Sequence, residues 1–137
     1  MTMESFYAGG FLYSVEHNAV LLHKRDANTE FNPNKWAFFG GLCHKDEKPV
    51  DCFVREIEEE LGLSIKAKQA LALTNYLNEE LNTHRHVFYV ERYVPKEQLV
   101  LGEGADFGWV SLERLGEFEL TEKTARDLEL FKKKLCI

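Results

Sequence analysis

Little in this sequence marks a secreted, membrane-spanning or repetitive protein. Its three cysteines, Cys43, Cys52 and Cys136, are an odd number with no CxxC pair. That argues against a disulfide or zinc framework and for free thiols in a reducing cytosol. No apolar run approaches the ~20 residues of a membrane-spanning helix. The first residues, Met1 to Ser5, carry neither the basic nor the apolar part of a secretory leader. The three prolines are scattered, and there is no internal repeat, low-complexity tract or Gly/Ser linker. A chain of 137 residues with these features is expected to be one domain, residues 1–137. Positive charge is also short. The 17 Lys and Arg against 23 Asp and Glu leave a net charge of −6, which excludes a general binder of polymeric nucleic acid. Small phosphorylated ligands held through bound cations are not excluded. Gly40-Gly41 is not followed by Gly-Lys-Ser/Thr, and no Ser or Cys stands in a triad context, so neither a P-loop nor a nucleophilic triad is indicated.

Apolar and aromatic residues are plentiful, at 45% and 12%, enough for a core without metal or disulfide support. Phe6 to Val15 reads as a strand interrupted at Gly9-Gly10. Ala19 to His23 reads as a second strand, joined to the first by a hairpin turn at Glu16-His17-Asn18. Asp26 to Lys35 is a polar loop, and Trp36 to Phe39 a short apolar segment. Ile65 to Tyr76, His84 to Tyr93 and Phe107 to Val110 read as strands, and Ser111 to Leu115 as a short helix. Thr121 to Leu135 is a terminal helix with Thr121 as N-cap and Ala125, Leu128, Phe131 and Leu135 on one face. Strands mixed with two substantial helices predict α/β layers around a mixed sheet.

Pro49 to Leu61 is the most strongly specified helix. Wound at about 100° per residue, it places Val50, Phe53, Val54, Ile57 and Leu61 in one stripe, and Val50, Phe53, Ile57 and Leu61 are expected to be buried. Pro49 suits the first helical position and Gly62 the position just past the end. Glu56, Glu59 and Glu60 share an i, i+3, i+4 relation and converge on one side, where they are expected to line an open cleft. Glu58 leaves on another flank. A run of Glu is also what a solvated helix face looks like. Yet three close carboxylates near the negative end of a helix repel one another, and a hard divalent cation would resolve that.

The residues before the helix decide between these readings. Gly41, five residues, Glu47, seven residues and then Arg55-Glu56-Ile57-Glu58-Glu59-Glu60-Leu61-Gly62-Leu63 match without a gap the box G-x5-E-x7-R-E-U-x-E-E-x-G-U, where U is a bulky aliphatic. The chain therefore resembles the Nudix hydrolases. Leu21-Leu22 with Lys24-Arg25, the run Trp36 to Gly41, and Trp109 to Leu112 also resemble that family. One departure is Phe39, where many members have Pro.

The resemblance implies an α/β/α sandwich and hydrolysis of a diphosphate bond in a nucleoside diphosphate linked to a group X, with Mg²⁺ or Mn²⁺. Glu56, Glu59 and Glu60 would be the metal-facing carboxylates, with the Gly40 carbonyl as a further ligand. Glu47 and Arg55 would pair behind them, and Gly41 and Gly62 would permit backbone turns. Arg25 would contact substrate phosphate. Glu56 and Glu103 both stand as candidates for the general base, Glu56 preferred because the box fixes its position. Markers of the ADP-ribose and diadenosine polyphosphate branches are absent from Asn78 to Glu80. That leaves a nucleoside triphosphate, oxidised and other non-standard ones included, as the leading substrate, giving a monophosphate and pyrophosphate. Nucleotide sugars are the enzyme alternative, and a non-catalytic nucleotide-sensing module is the alternative of another class. The expected partner is thus a small nucleotide in the cytoplasm, with no membrane and no nucleic-acid polymer. Oligomeric state is not written in the sequence. His84 and His86 face the same way on a strand but lack an identifiable third ligand. Trp36, Phe38, Tyr76 and Phe88 could stack on a base, though core packing accounts for most of them.

Overall fold

A computed structural model of the chain describes residues 5–30, 32–102 and 104–136. Among them, seven strands form one mixed sheet: β1 (Ser5–Ser14), β2 (Ala19–Lys24), β3 (Trp36–Ala37), β4 (Phe39–Leu42), β5 (Leu71–Asn78), β6 (Thr83–Glu91) and β7 (Asp106–Ser111). The spatial order is β3-β2-β1-β6-β5, with β4 beside β1 and β7 beside β2. β1 runs parallel to β6 and the other pairings are antiparallel. Helix α1 (Pro49–Leu61) covers one face and α2 (Glu122–Leu135) the other.

The period-two alternation of the strands builds both cores at once. On β1, Ala8 and Leu12 join Phe53, Ile57 and Leu61 of α1, whereas Phe11 and Tyr13 join Leu128 and Phe131 of α2. The result is the expected α/β/α sandwich around a mixed sheet. No helix is long and apolar enough to cross a membrane among the described residues.

Several expectations change in detail. Gly9 and Gly10 do not interrupt β1. They let strands approach, since a Cβ on Gly10 would collide with the Phe88 carbonyl and one on Gly9 with the Tyr7 hydroxyl. The segment Trp36 to Phe39 divides at Phe38: Ala37 pairs with β2, whereas Phe39 pairs with β1. The strand expected from Ile65 begins only at Leu71. Ile65 turns into the α1-side core, and Ala67–Gln69 form a 3-10 turn closed by Lys66 N donating to Gln69 Oε1 at 2.9 Å. In α2, Thr121 caps as expected by accepting from Thr124 N at 3.3 Å. Its buried residues are Thr124, Asp127, Leu128 and Phe131, while Leu135 is exposed.

Helix α1 has the expected limits, and Gly62 at φ 64° ends it with its N–H on the Glu58 carbonyl. Its buried stripe is rotated from the expected one. Cys52 and Glu60 are buried together with Phe53, Ile57 and Leu61, and Val50 is only half-buried. On the flank toward Cys52 and Glu60, β4 packs at Cys52 and Glu56, where Cys52 Sγ donates to the Gly41 carbonyl at 3.7 Å, and Gly102 of the loop before β7 lies against the Glu60 backbone.

Candidate active site

The loop between β4 and α1 is drawn against the helix by one ion pair. Arg55 Nε donates to Glu47 Oε2 at 2.9 Å and Nη2 to Glu47 Oε1 at 3.0 Å, a bidentate arrangement. Glu47 Oε1 also accepts from His44 N at 2.9 Å. These bonds, the Arg55 contact first among them, lower the Glu47 pKa to about 2 and push that of Arg55 up. Arg55 reaches further than the sequence indicated. Its Nη1 donates to Glu56 Oε1 at 3.0 Å and to Glu59 Oε2 at 3.2 Å, and its Nη2 to the Leu42 carbonyl at 3.3 Å.

The three carboxylates of the cluster stand at three depths. The Glu59 side chain is 56% exposed, that of Glu56 13%, and Glu60 is buried. They do not equally line one open cleft: Gly41 of β4 lies against Glu56, and Gly102 of the loop before β7 lies against the Glu60 backbone. Gly41 has extended backbone in β4 and permits no turn, contrary to expectation. Its part is steric: a Cβ there would lie 2.6 Å from Glu56 Oε1, so a larger residue would push that carboxylate aside. Gly40, also in β4, is half-buried opposite Gly9.

A cleft of about 420 Å³ opens between the end of β2 and the loop before β7, lined by His23, Arg25, Asp26, Thr29, Gly102 and Gly104. Arg25 Nη2 donates to Thr29 Oγ1 at 3.2 Å on its wall. The loop is pinned to the C-terminus of α1, where Val100 N donates to the Leu61 carbonyl at 3.2 Å and Gly102 N to the Glu60 carbonyl at 2.8 Å. These bonds satisfy two of the helix's final carbonyls. Gly104 passes over the end of β2, and a Cβ there would lie 2.9 Å from the Lys24 carbonyl. Glu103, the loop candidate for the base, lies outside the described residues.

His23 was not singled out from sequence. Its Nε2 donates to the Phe38 carbonyl at 2.9 Å and its ring stacks on Phe39 at 5.0 Å. Burial pulls its pKa down to about 4, so the ring is neutral at pH 7. That leaves Nδ1 as an acceptor, buried and without a hydrogen-bond partner among the described residues. A His ending an apolar strand directly before Lys24-Arg25 was the available signal.

The other candidates fall outside this site. His84 lies 4.8 Å from His86 and bonds Asn75 Oδ1 at 2.9 Å. Phe38 is buried, Phe88 stacks on Phe53, and Trp36 packs edge-on against Phe118, all core roles. Tyr76 donates to buried Asp127 on the α2 face.

A sequence model of the NUDIX domain matches residues 6–133. The chain belongs to the Nudix hydrolase family. Among curated proteins, this Nudix chain is similar to the nucleoside triphosphatase NudI of Escherichia fergusonii, 27% identical over 122 residues, 82% of this chain and 86% of that protein. Among solved structures it is similar to the MutT protein from Methanosarcina mazei, with TM-score 0.76, 24% identity and coverage of 97% and 98%. It is also similar to a MutT/Nudix family protein from Listeria innocua, with TM-score 0.77, 20% identity and coverage of 99% and 96%. Both structural likenesses speak to the fold.

Proposed function

We propose that this Nudix protein hydrolyses nucleoside triphosphates, oxidised and other non-standard ones included, to a monophosphate and pyrophosphate with Mg²⁺ or Mn²⁺. The observation that carries the reading is the gathering of Glu47, Glu56 and Glu59 around one arginine, beside buried Glu60. The triphosphate reading is supported by the similarity to NudI, a nucleoside triphosphatase. The residues fit a hard divalent cation: the donors are all carboxylate or carbonyl oxygens, negative charge is in excess, and Gly41 leaves space at Glu56. Glu56, Glu59, Glu60 and the Gly40 carbonyl would hold it. When bound, such an ion neutralises diphosphate charge and lowers the pKa of an attacking water.

The chain's own residues supply the rest. Arg55 orients Glu56 and Glu59 and ties them through Glu47 to the loop. Arg25, on the cleft wall, binds substrate phosphate. Glu56 takes the water's proton, with Glu103 as the competing base. A nucleotide panel incubated with Mg²⁺ tests the reaction, with pyrophosphate release from triphosphates as the expected result. Release only from nucleotide sugars would favour the second substrate class, and no hydrolysis at all a sensing module.

The base is tested by comparing Glu56→Gln and Glu103→Gln at saturating metal. Loss of a base lowers kcat by about 10²–10⁴-fold, whereas loss of a ligand shows mainly as a higher metal requirement. We expect the kcat loss in Glu56→Gln. A collapse confined to Glu103→Gln, with Glu56→Gln rescued by added Mg²⁺, would move the base to the loop.

A further inference from the structure

Two thiols and a carboxylate meet behind the proposed hydrolytic site. Cys43 follows β4, its backbone fixed by Cys43 N donating to the Phe6 carbonyl at 2.8 Å. Cys52 sits on α1, with its N–H on the Lys48 carbonyl at 2.9 Å. One ligating atom from each of Cys43, Cys52 and Glu47 lies within 4.8 Å of the other two. We propose that Cys43, Cys52 and Glu47 form a site for a thiophilic divalent cation of the Zn²⁺ or Cd²⁺ class, adjoining the Glu56, Glu59 and Glu60 set through Arg55 but using none of those three carboxylates.

The geometry suits such an ion. Zn–S bonds of about 2.3 Å in a tetrahedral site put two sulfurs roughly 3.8 Å apart, a closure that side-chain rotation can supply. Two sulfur donors select a soft cation and disfavour Mg²⁺, whereas the oxygen-only set at Glu56, Glu59 and Glu60 does the reverse. A divalent ion also relieves charge: two thiolates and one carboxylate fall from −3 to −1 when it binds, and Arg55 stays alongside, with Nη2 3.7 Å from Cys52 Sγ and bonds to Glu47. Cys43 and Glu47 are half-buried, so an ion can enter from the loop side, while Cys52 closes the floor. Binding exchanges two thiol protons to solvent for the metal, with no change of oxidation state. Burial keeps both thiols protonated at neutral pH in the absence of metal, which disfavours their oxidation.

The test is a Cd²⁺ titration of the whole chain in excess Mg²⁺, which keeps Cd²⁺ off the oxygen donors. Thiolate-to-cadmium absorption in the ultraviolet reports sulfur ligation directly and does not depend on hydrolysis. The expected result is absorption saturating at one ion per chain. Cys43→Ser should weaken binding by more than about 100-fold, while Cys136→Ser leaves it unchanged. Glu47→Gln should keep the absorption but weaken affinity by about 10-fold or more. Absorption that survives Cys43→Ser, or that vanishes with Cys136→Ser, overturns the site. Unchanged affinity in Glu47→Gln overturns the three-ligand arrangement. Because Cys52→Ala empties a buried position, half-buried Cys43 carries the decisive variant, with circular dichroism confirming its fold. Failure here would leave the hydrolase reading standing, and failure of hydrolysis would leave this site standing.

Discussion

Two arginines hold carboxylates on opposite faces of the sheet, and they do so differently. Arg85 on β6 meets Asp127 of α2 one to one, Nε to Oδ2 at 2.9 Å, with side chains only 12% and 1% exposed. Tyr76 adds a neutral donor to the same carboxylate at 2.9 Å, and the Arg85 guanidinium lies 4.8 Å over the Tyr7 ring. Arg55 instead gathers Glu47, Glu56 and Glu59 at a partly open edge, three negative charges to one positive. A balanced pair can be sealed in a core, because its desolvation is offset by partner and hydrogen bonds. An unbalanced cluster is tolerable only where solvent or a further cation reaches it. Asp127 therefore serves the fold, and the excess negative charge around Arg55 supports the site we propose there.

The comparison breaks most readily at Asp127. Asp127→Asn strands the buried Arg85 charge and should cost about 3–5 kcal/mol of stability, read as a lower denaturant midpoint. Molecules that remain folded should turn over at close to the wild-type rate. A variant of wild-type stability would mean that this pair is not what holds α2 to the sheet. Glu59→Gln should do the opposite. Its side chain is more than half exposed, so stability should move by no more than about 0.5 kcal/mol. Hydrolysis should fall by more than about 10²-fold, since the amide keeps the shape but not the charge. Glu58→Gln, exposed on the other flank, should leave turnover near wild type. Near wild-type turnover in Glu59→Gln would remove that carboxylate from the metal-facing set.

The Arg55 side of this contrast was far more legible in the sequence than the Arg85 side. Fixed spacing on one helix carries Glu56, Glu59 and Glu60, because a helix turns local order directly into direction. The limits of α1 followed from Pro49 and Gly62 for the same reason. Arg85 and Asp127 are 42 residues apart, and no local pattern announces that β6 and α2 will bring them together. Burial along α1 shows both cases. The apolar stripe was periodic and readable, but its rotation toward Cys52 and Glu60 depends on distant segments: β4, which begins where the chain passes from β2 to β1 at Phe38, and the loop that brings Gly102 to Glu60. His23 escaped notice because an imidazole in an apolar strand is ambiguous until the Phe38 carbonyl and Phe39 ring are in place.

The smallest expected effect sharpens the comparison through pH. The Arg55 contact holds Glu47 at a pKa of about 2, against 4.5 for an ordinary glutamate. In that window the unfolded chain binds a proton that the folded chain refuses, so stability falls as pH falls. The Glu47 contribution should be complete above pH 4.5 and lost progressively as the pH drops toward 2. Glu47→Gln cannot titrate. The stability gap between wild type and this variant should be constant from pH 7 to 5 and narrow steadily below 4.5. His23 adds its own slope, since its folded pKa of about 4 lies below the ordinary 6.5. Protonation of the unfolded chain there destabilises both proteins equally between pH 6.5 and 4, and it cancels in the difference. Denaturant midpoints of the two proteins at pH 6, 5, 4 and 3 are the measurement. A gap as wide at pH 3 as at pH 6 would show that the Glu47–Arg55 contact contributes no net stability through its charge, and that the loop is held to α1 by packing instead.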